Sequence, residues 1–212
     1  TEVAKKGYYD MRLKALRTLL RLDRENMLKI IDEFVNEGTN EDKKLYLSIA
    51  PFLKHEDNYA YVEKLLFDAD ESIRKTAINV LGRFLEDTRY MALFKKILHS
   101  DAIPHEALKI IREQKLVDFR DMLISIFSKP KNDLWTRYYA LMALGAFEDC
   151  TLLDVFLGGL KDDNSLIKIG SLKAISNLND RSVLEFVRPF TESADEDVRF
   201  TAESVVERLE GI

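Results

Sequence analysis

The sequence predicts an all-α fold made of about seven repeated helix pairs. Three observations support this: apolar residues recur with the period of a helix, a local pattern returns every 31 or 32 residues, and turn-forming residues are scarce. The 212 residues include 8 Gly and 4 Pro. That is too few for the many tight turns of a β-sandwich or barrel, so the repeat is expected to be helical.

A basic or imidazole side chain marks the same position in each repeat. The marker residues are Arg12, Lys43, Arg74, His105, Arg137, Lys168 and Arg199. Three residues after the marker, five of the seven units have a small side chain, which would let two helices approach closely. These positions are Ala15, Tyr46, Ala77, Leu108, Ala140, Ser171 and Ala202.

A second apolar, periodic stretch lies between successive markers, so each unit is predicted to be helix, turn, helix, turn. The stretches are residues 27–34, 61–67, 91–98, 119–127, 152–160 and 183–190. In several units an Asp or Asn stands four residues before the marker, and in four of them we expect its side chain to cap the next helix. These expected caps are Asp70, Asp133, Asn164 and Asp195. Pro104, just before His105, suits the first turn of a helix.

Residues 70–87, DESIRKTAINVLGRFLED, combine Asp, Ile-Arg, Ala, Leu-Gly and a final Asp in one order. This pattern resembles the HEAT-like repeats of the phycobilisome-lyase type, and the resemblance extends over essentially the whole chain. It implies a right-handed α-solenoid of about seven HEAT-like helix pairs. We expect a single repeat domain over residues 1–212, and we expect it to belong to a longer chain because neither end carries a polar capping unit.

Composition narrows the classes of partner. A net charge of -5 and a pI of about 5.4 give no general reason to approach nucleic acid or anionic lipid. The single cysteine, Cys150, excludes an intrachain disulfide framework and a multi-cysteine zinc site, and it fits a reducing compartment. No apolar run approaches the roughly 20 residues of a membrane span. We therefore expect a cytoplasmic location, with no membrane insertion and no nucleic-acid partner.

The marker row has two interpretations. In the first, each cation belongs to the scaffold and bridges to a cap carboxylate or to the next repeat. In the second, the row is a basic ladder that binds phosphates or acidic peptides. The second interpretation requires the side chains to be exposed and unpaired, and the first is favoured.

A different row is the expected binding surface. If Ile73 and Ala77 face the core, then at 100° per residue Lys75 and Asn79 point the other way. In the second half of the chain, four of the equivalent positions are apolar where a solvated face would prefer charge: Tyr138, Met142, Ile169 and Phe200. Apolar residues on the concave side of a solenoid suggest a groove for a peptide or helix. The alternative is that tight curvature buries this row.

Catalytic signatures are weak. The histidines His55, His99 and His105 lack metal-ligand spacing, and we expect no cofactor. Trp135 before Arg137 resembles a stretch of the HEAT-like alkylpurine DNA glycosylases, but the aromatic-and-aspartate set of that family is missing. We therefore predict a non-enzymatic protein–protein interaction scaffold. The alternatives are a lyase-like chromophore or other enzyme-subunit role and, third, a HEAT-like DNA-binding or glycosylase-type protein.

Overall fold

The computed structural model describes residues 2–100 and 102–211. Thr1, Asp101 and Ile212 lie outside the described residues, and with them both bounds of the predicted domain. The described residues form helices and turns, with no β-strand among them. The α-helices are α1 (Glu2–Lys6), α2 (Tyr9–Leu22), α3 (Arg24–Asn36), α4 (Asn40–Ile49), α5 (His55–Leu65), α6 (Glu71–Leu81), α7 (Thr88–Leu98), α8 (His105–Gln114), α9 (Arg120–Ser128), α10 (Leu134–Gly145), α11 (Leu153–Leu160), α12 (Ser165–Asn177), α13 (Leu184–Val187) and α14 (Glu196–Glu210). Short 3-10 helices cover Ala50–Phe52, Val117–Phe119, Cys150–Leu152, Arg181–Val183 and Arg188–Glu192.

The helix order confirms the predicted repeat. Every marker residue lies in an even-numbered helix, and every apolar stretch between two markers contributes to an odd-numbered one. The fourth marker, His105, is the first residue of α8. The described residues therefore form an α-solenoid of seven helix pairs, in which the first pair begins with a helix of only 5 residues.

The predicted helix caps are also confirmed. Each accepts a hydrogen bond from a backbone N–H group in the first turn of α6, α10, α12 or α14. These caps are Asp70, Asp133, Asn164 and Asp195. α4 begins with a reciprocal capping box that was not among the predicted caps. The Thr39 side chain accepts a hydrogen bond from the Asp42 N–H, and the Asp42 side chain accepts one from the Thr39 N–H.

The position three residues after the marker forms the centre of the helix packing. Six of its seven residues are fully buried, and only Ala15 is half-buried. Tyr46 is the large exception in this small-residue position. Its hydroxyl donates to the side-chain oxygen of Asn58, which is itself fully buried, so both polar groups are satisfied inside the core.

The chain divides into two compact units, Thr1–Ala107 and Leu108–Ile212. In the first, α4 packs against both α2 and α6. In the second, α12 packs against both α10 and α14, while α9 lies against α10 and α11 against α12. Neighbouring even-numbered helices thus place equivalent repeat positions side by side within a unit.

Two glycines allow the closest helix contacts of the second unit. A Cβ atom on Gly159 would lie 2.1 Å from the Ser171 Oγ, and a Cβ atom on Gly145 would lie 2.8 Å from the Ala174 Cβ. Both distances are shorter than van der Waals contact. Glycine is therefore required for α10 and α11 to approach α12 this closely.

Only part of residues 183–190, where the apolar stretch predicts a helix, is α-helical. Leu184–Val187 forms α13, and the chain then tightens into the 3-10 helix Arg188–Glu192. Pro189 explains the change, because proline lacks a backbone N–H group and, in a continued α-helix, its ring would clash with the carbonyl of Glu185 four residues earlier.

Candidate peptide-binding surface

Two marker arginines bind carboxylates that come later in the chain. Arg12 is buried and forms an ion pair with Asp42, and Arg137 forms one with Asp162. Arg137 also donates to the carbonyl oxygen of Phe127 at 3.1 Å. These arginines link successive parts of the repeat and have their donors engaged within the fold.

The ion pairs help to lower the pKa of both carboxyl groups. Burial raises the pKa of the Asp162 carboxyl, but hydrogen bonds from Arg137 and the Asn164 N–H outweigh it, so the pKa lies below its ordinary value. The pKa of Asp42 is lowered in the same way, with Arg12 as the main donor against burial. Both carboxylates are thus held in the charged form.

Two further marker residues hold the turn before α6. Lys43 donates to the Asp68 carboxylate at 2.7 Å, and the Asp70 N–H donates to the same carboxylate at 2.9 Å. Arg74 donates to the main-chain oxygens of Asp68 and Ala69, at 2.7 and 2.9 Å. The turn is thereby fixed from both of its sides.

The remaining markers occupy half-buried positions. Arg199 donates to the carbonyl oxygen of Ser193 at 2.9 Å. Lys168 lies close enough to Asp162 and Asp195 to help lower the pKa of each carboxyl. His105 is half-buried at the start of α8.

In the first unit the expected binding row is polar. Lys75 and Asn79 are exposed on α6, and Lys75 forms an ion pair with Glu71 one turn earlier, at 2.6 Å. Lys75 also lines a cavity of about 340 Å³ whose wall includes Arg74 and His105. This cavity brings two marker residues and one binding-row residue together.

In the second unit the expected binding row is apolar and reachable by solvent. Tyr138 and Met142 on α10 and Ile169 on α12 are half-buried, while Phe200 on α14 is 71% exposed. Since α12 packs against α10 and α14, these side chains occupy equivalent positions on three successive helices. An apolar surface therefore crosses the second unit.

A groove of about 460 Å³ opens on this surface and joins Met142 to Phe200. Neither Tyr138 nor Ile169 lines it. The full lining is Met142, Lys173, Ser176, Asn177, Phe200, Thr201, Ser204, Val205 and Arg208. We call this the α12–α14 groove.

An aromatic cluster lies at the other end of α10. The Trp135 ring is 6.0 Å from the Tyr138 ring in an edge-to-face arrangement and 6.2 Å from the Tyr139 ring, centroid to centroid. The Lys109 ammonium lies 4.9 Å from the centre of the Tyr139 ring. Burial, with a contribution from Tyr139, raises the pKa of the Tyr138 hydroxyl, so that hydroxyl is neutral and available as a hydrogen-bond donor.

Comparison with known proteins gives one family match, in the second unit: residues 120–207 match the HEAT repeat model. The match covers most of the second unit, so this part of the chain is similar to HEAT repeats. No curated protein sequence matches the chain. The phycobilisome-lyase type of HEAT repeat stays a prediction.

Solved structures share the fold at low sequence identity. A designed armadillo repeat protein in complex with peptide (KR)4 is 16% identical, with a TM-score of 0.52 over 96% of this chain and 100% of that one. Another set of computationally designed armadillo repeat proteins for modular peptide recognition is 15% identical, with a TM-score of 0.49 over 92% and 97%. Human deoxyhypusine hydroxylase in complex with glycerol is 13% identical, with a TM-score of 0.42 over 99% and 93%. The first of these supports the α-solenoid fold of this chain.

Other functional features are few in the described part of the chain. No three His, Cys, Asp or Glu residues there are grouped in a way that could hold a metal ion. Cys150 is a free, exposed thiol. A search of the same residues finds no helix with both the length and the apolar character needed to cross a membrane.

Sequence reasoning found one side of the α12–α14 groove and missed the other. Met142 and Phe200 follow from the repeat, because Met142 lies five residues after the marker Arg137 and Phe200 lies one residue after the marker Arg199. Arg208 and Asn177 lie nine residues after theirs, near the ends of α14 and α12, where no regular pattern had been read. Their part in the groove depends on how those two helix ends pack.

Proposed function

We propose that the chain is a non-enzymatic protein–protein interaction scaffold that binds a peptide or helix along the binding row of its HEAT-repeat array. The observation that carries the proposal is the accessible apolar surface formed by Tyr138, Met142, Ile169 and Phe200 on α10, α12 and α14. Single exposed apolar residues are ordinary, but residues repeated on three adjacent helices form a patch of the kind that partners cover.

Other side chains occupy the fully buried positions of the same helices. Ala140, Leu144 and Ala202 are fully buried on the opposite faces of α10 and α14. Burying a phenylalanine that is now in water contributes roughly 1.5–3 kcal/mol, and Phe200 remains 71% exposed. That free energy is available to a partner rather than spent on folding.

The lowered pKa values of three helix caps have structural causes, which is in keeping with a scaffold role. These caps are Asp23, Asp87 and Asp195, where side-chain hydrogen bonds from Asn26, Arg89 and Ser165 are the largest cause. Such shifts belong to helix capping and inter-repeat contacts.

Peptide recognition is in keeping with the shared fold. The armadillo repeat protein with a TM-score of 0.52 was determined in complex with peptide (KR)4. Repeat arrays of this kind bind extended segments because equivalent side chains recur at regular intervals along one surface. The residues of the binding row in this chain likewise recur at equivalent positions of successive repeats.

A peptide library displayed on phage tests the proposal. We expect the chain to enrich peptides whose binding is abolished by the double change Tyr138→Ser and Phe200→Ser. The matched control is Phe186→Ser, which removes an exposed aromatic residue of the same array outside the row and should leave binding unchanged. Equal binding by both variants would contradict the proposal, and so would a loss of several kcal/mol of stability in the double variant, since that is the signature of core truncation.

A further inference from the structure

We propose that the α12–α14 groove recognises a segment in which an apolar side chain is flanked by carboxylates. The inference rests on the proposed function and adds the chemistry of the partner. It joins two observations: Met142, Phe200 and Val205 give the groove an apolar part, and its charged lining is cationic.

The charge of the groove is opposite to that of the chain. Among the described residues its lining contains two cations, Lys173 and Arg208, and no carboxylate, although the chain as a whole has a net charge of -5. Lys173 is exposed on α12 and forms no ion pair within the described part of the chain. Two cations that share a groove with no carboxylate in its lining are suited to a carboxylate from outside.

Arg208 keeps most of its donors for such a carboxylate. Its one hydrogen bond in the described chain is a long one, from Nη1 to the Asn177 side-chain oxygen at 3.5 Å. The Asn177 amide nitrogen donates to the Gly145 carbonyl at 3.2 Å, which sets the direction of that oxygen. The field of Arg208 reaches Glu148, but the Glu148 carboxylate already accepts from Lys115 at 2.7 Å. A guanidinium has five N–H donors, so it can still hold an incoming carboxylate in a bidentate pair.

The apolar part of the groove provides an anchor site. Val205 is buried, Met142 is half-buried on the α10 side and Phe200 is exposed on the α14 side. Methionine adapts to the shape of its neighbour, and an aromatic ring contributes a large contact area. A volume of about 460 Å³ accommodates one leucine- or phenylalanine-sized side chain with its neighbouring backbone.

Three synthetic peptides test the chemistry. The first is a 12-residue peptide with a single Leu flanked by Asp and Glu. The second replaces the acids by Asn and Gln, and the third replaces Leu by Ser. Affinity for the full chain is measured by fluorescence anisotropy at low salt. We expect only the first peptide to bind tightly, with the other two weaker by roughly tenfold or more, the loss expected for a charge-assisted contact or a buried anchor.

Charge reversal in the groove provides the decisive variant. Lys173→Glu with Arg208→Glu should abolish binding of the acidic peptide and create binding to the same peptide with Lys in place of its acids. The matched control is Lys129→Glu with Lys131→Glu, which changes net charge equally at exposed positions outside the groove and should leave the affinity nearly unchanged. Both double variants alter exposed side chains, and a thermal unfolding curve verifies that each is folded.

The outcomes separate this inference from the proposed function. Binding that depends on Phe200 but not on charge overturns the acidic-segment inference and leaves the scaffold proposal standing. If none of the three peptides binds, and if the Tyr138→Ser and Phe200→Ser change abolishes the binding of no library peptide, both the acidic-segment inference and the scaffold proposal are overturned. Equal losses in both charge-reversed variants show a non-specific charge effect and overturn the inference. Concentration-dependent dimerisation that Phe200→Ser abolishes also overturns it, because a second copy would then be the occupant.

Discussion

The guanidinium of Arg137 forms an ion pair with the carboxylate of Asp162, 25 residues further along the chain. Both side chains are less than a fifth exposed, at 19% and 18%. Lys43 and Asp68 form a pair with the same separation in the first unit. In these two repeats the marker side chain thus binds a carboxylate in the turn that leads into the next marker helix.

The first prediction concerns this pair. Arg137→Ala should lower the free energy of unfolding by about 2–4 kcal/mol, because it removes the cation that pairs with the Asp162 carboxylate and the side chain that donates to the Phe127 carbonyl. The control is Arg188→Ala, whose partner is Glu210 and whose side chain is 63% exposed. It should cost at most about 1 kcal/mol. Urea unfolding measures both, and equal losses would show that the repeat pair has no special structural role.

The second prediction concerns acid stability. The pKa values of Asp42, Asp68 and Asp162 are lowered in the folded chain, since hydrogen bonds outweigh the effect of burial. A carboxyl with a folded pKa below its unfolded value of about 3.9 stabilises the fold above that value, and this contribution disappears as the pH falls through the folded pKa. The free energy of unfolding should therefore fall steadily as the pH is lowered from about 5 to 2. Asp162→Asn should start lower at neutral pH and decline less steeply; a parallel decline would contradict this assignment.

The third prediction uses adjacent glycines of α11. Gly159→Ala should destabilise the chain by about 1–3 kcal/mol, because the new Cβ would overlap the Ser171 Oγ. Gly158→Ala meets no atom within 4 Å and should stabilise the helix by about 0.5–1 kcal/mol. Thermal and urea unfolding of the two variants, with Ser171→Gly added to Gly159→Ala as a rescue, separates overlap from helix propensity. A loss of stability from both alanines would show that propensity is not the deciding factor at either site.

Much of this fold could be predicted because each position of the repeat occurs several times in the sequence. The caps Asp70 and Asp195 and the buried positions Ala77 and Ala202 follow from the same pattern in different units, so each supports the others. Pro189 is a local exception, because the apolar pattern continues through it although proline interrupts an α-helix. In this repeat the helix is therefore reduced to Leu184–Val187.

The candidate site was less predictable for a physical reason. Helical periodicity reports which side of a helix is exposed, so it found Met142 and Phe200. It does not report which residues at the ends of neighbouring helices meet, and this left out Asn177 and Arg208. Periodicity also does not report which hydrogen-bond donors already have a partner. Arg74 donates to the main-chain oxygen of Asp68, whereas Arg208 keeps most of its donors.

The fourth prediction concerns a backbone feature that recurs without a sequence signature. Lys115, Glu148 and Asn179 have positive φ angles of 49°, 57° and 56° in the turns after α8, α10 and α12. Glycine adopts this region freely, and a β-branched residue does so only at a cost of about 1–2 kcal/mol. Asn179→Gly should leave the free energy of unfolding nearly unchanged, while Asn179→Val should lower it by about 1–2 kcal/mol. Equal free energies of unfolding for the glycine and valine variants would contradict the prediction, because they would mean that the turn can leave the positive-φ region without cost.

The fifth prediction separates binding-row residues from core residues. Phe200 is 71% exposed on α14, whereas Phe156 is fully buried on α11. Phe200→Ala should change the free energy of unfolding by less than about 0.5 kcal/mol, and Phe156→Ala should lower it by about 3–5 kcal/mol. Both variants remove the same atoms from the same array, so their difference in urea unfolding isolates the effect of burial. Similar losses would mean that Phe200 is covered by the chain itself, and the surface it forms with Met142 would then be part of the core and not a place for a partner.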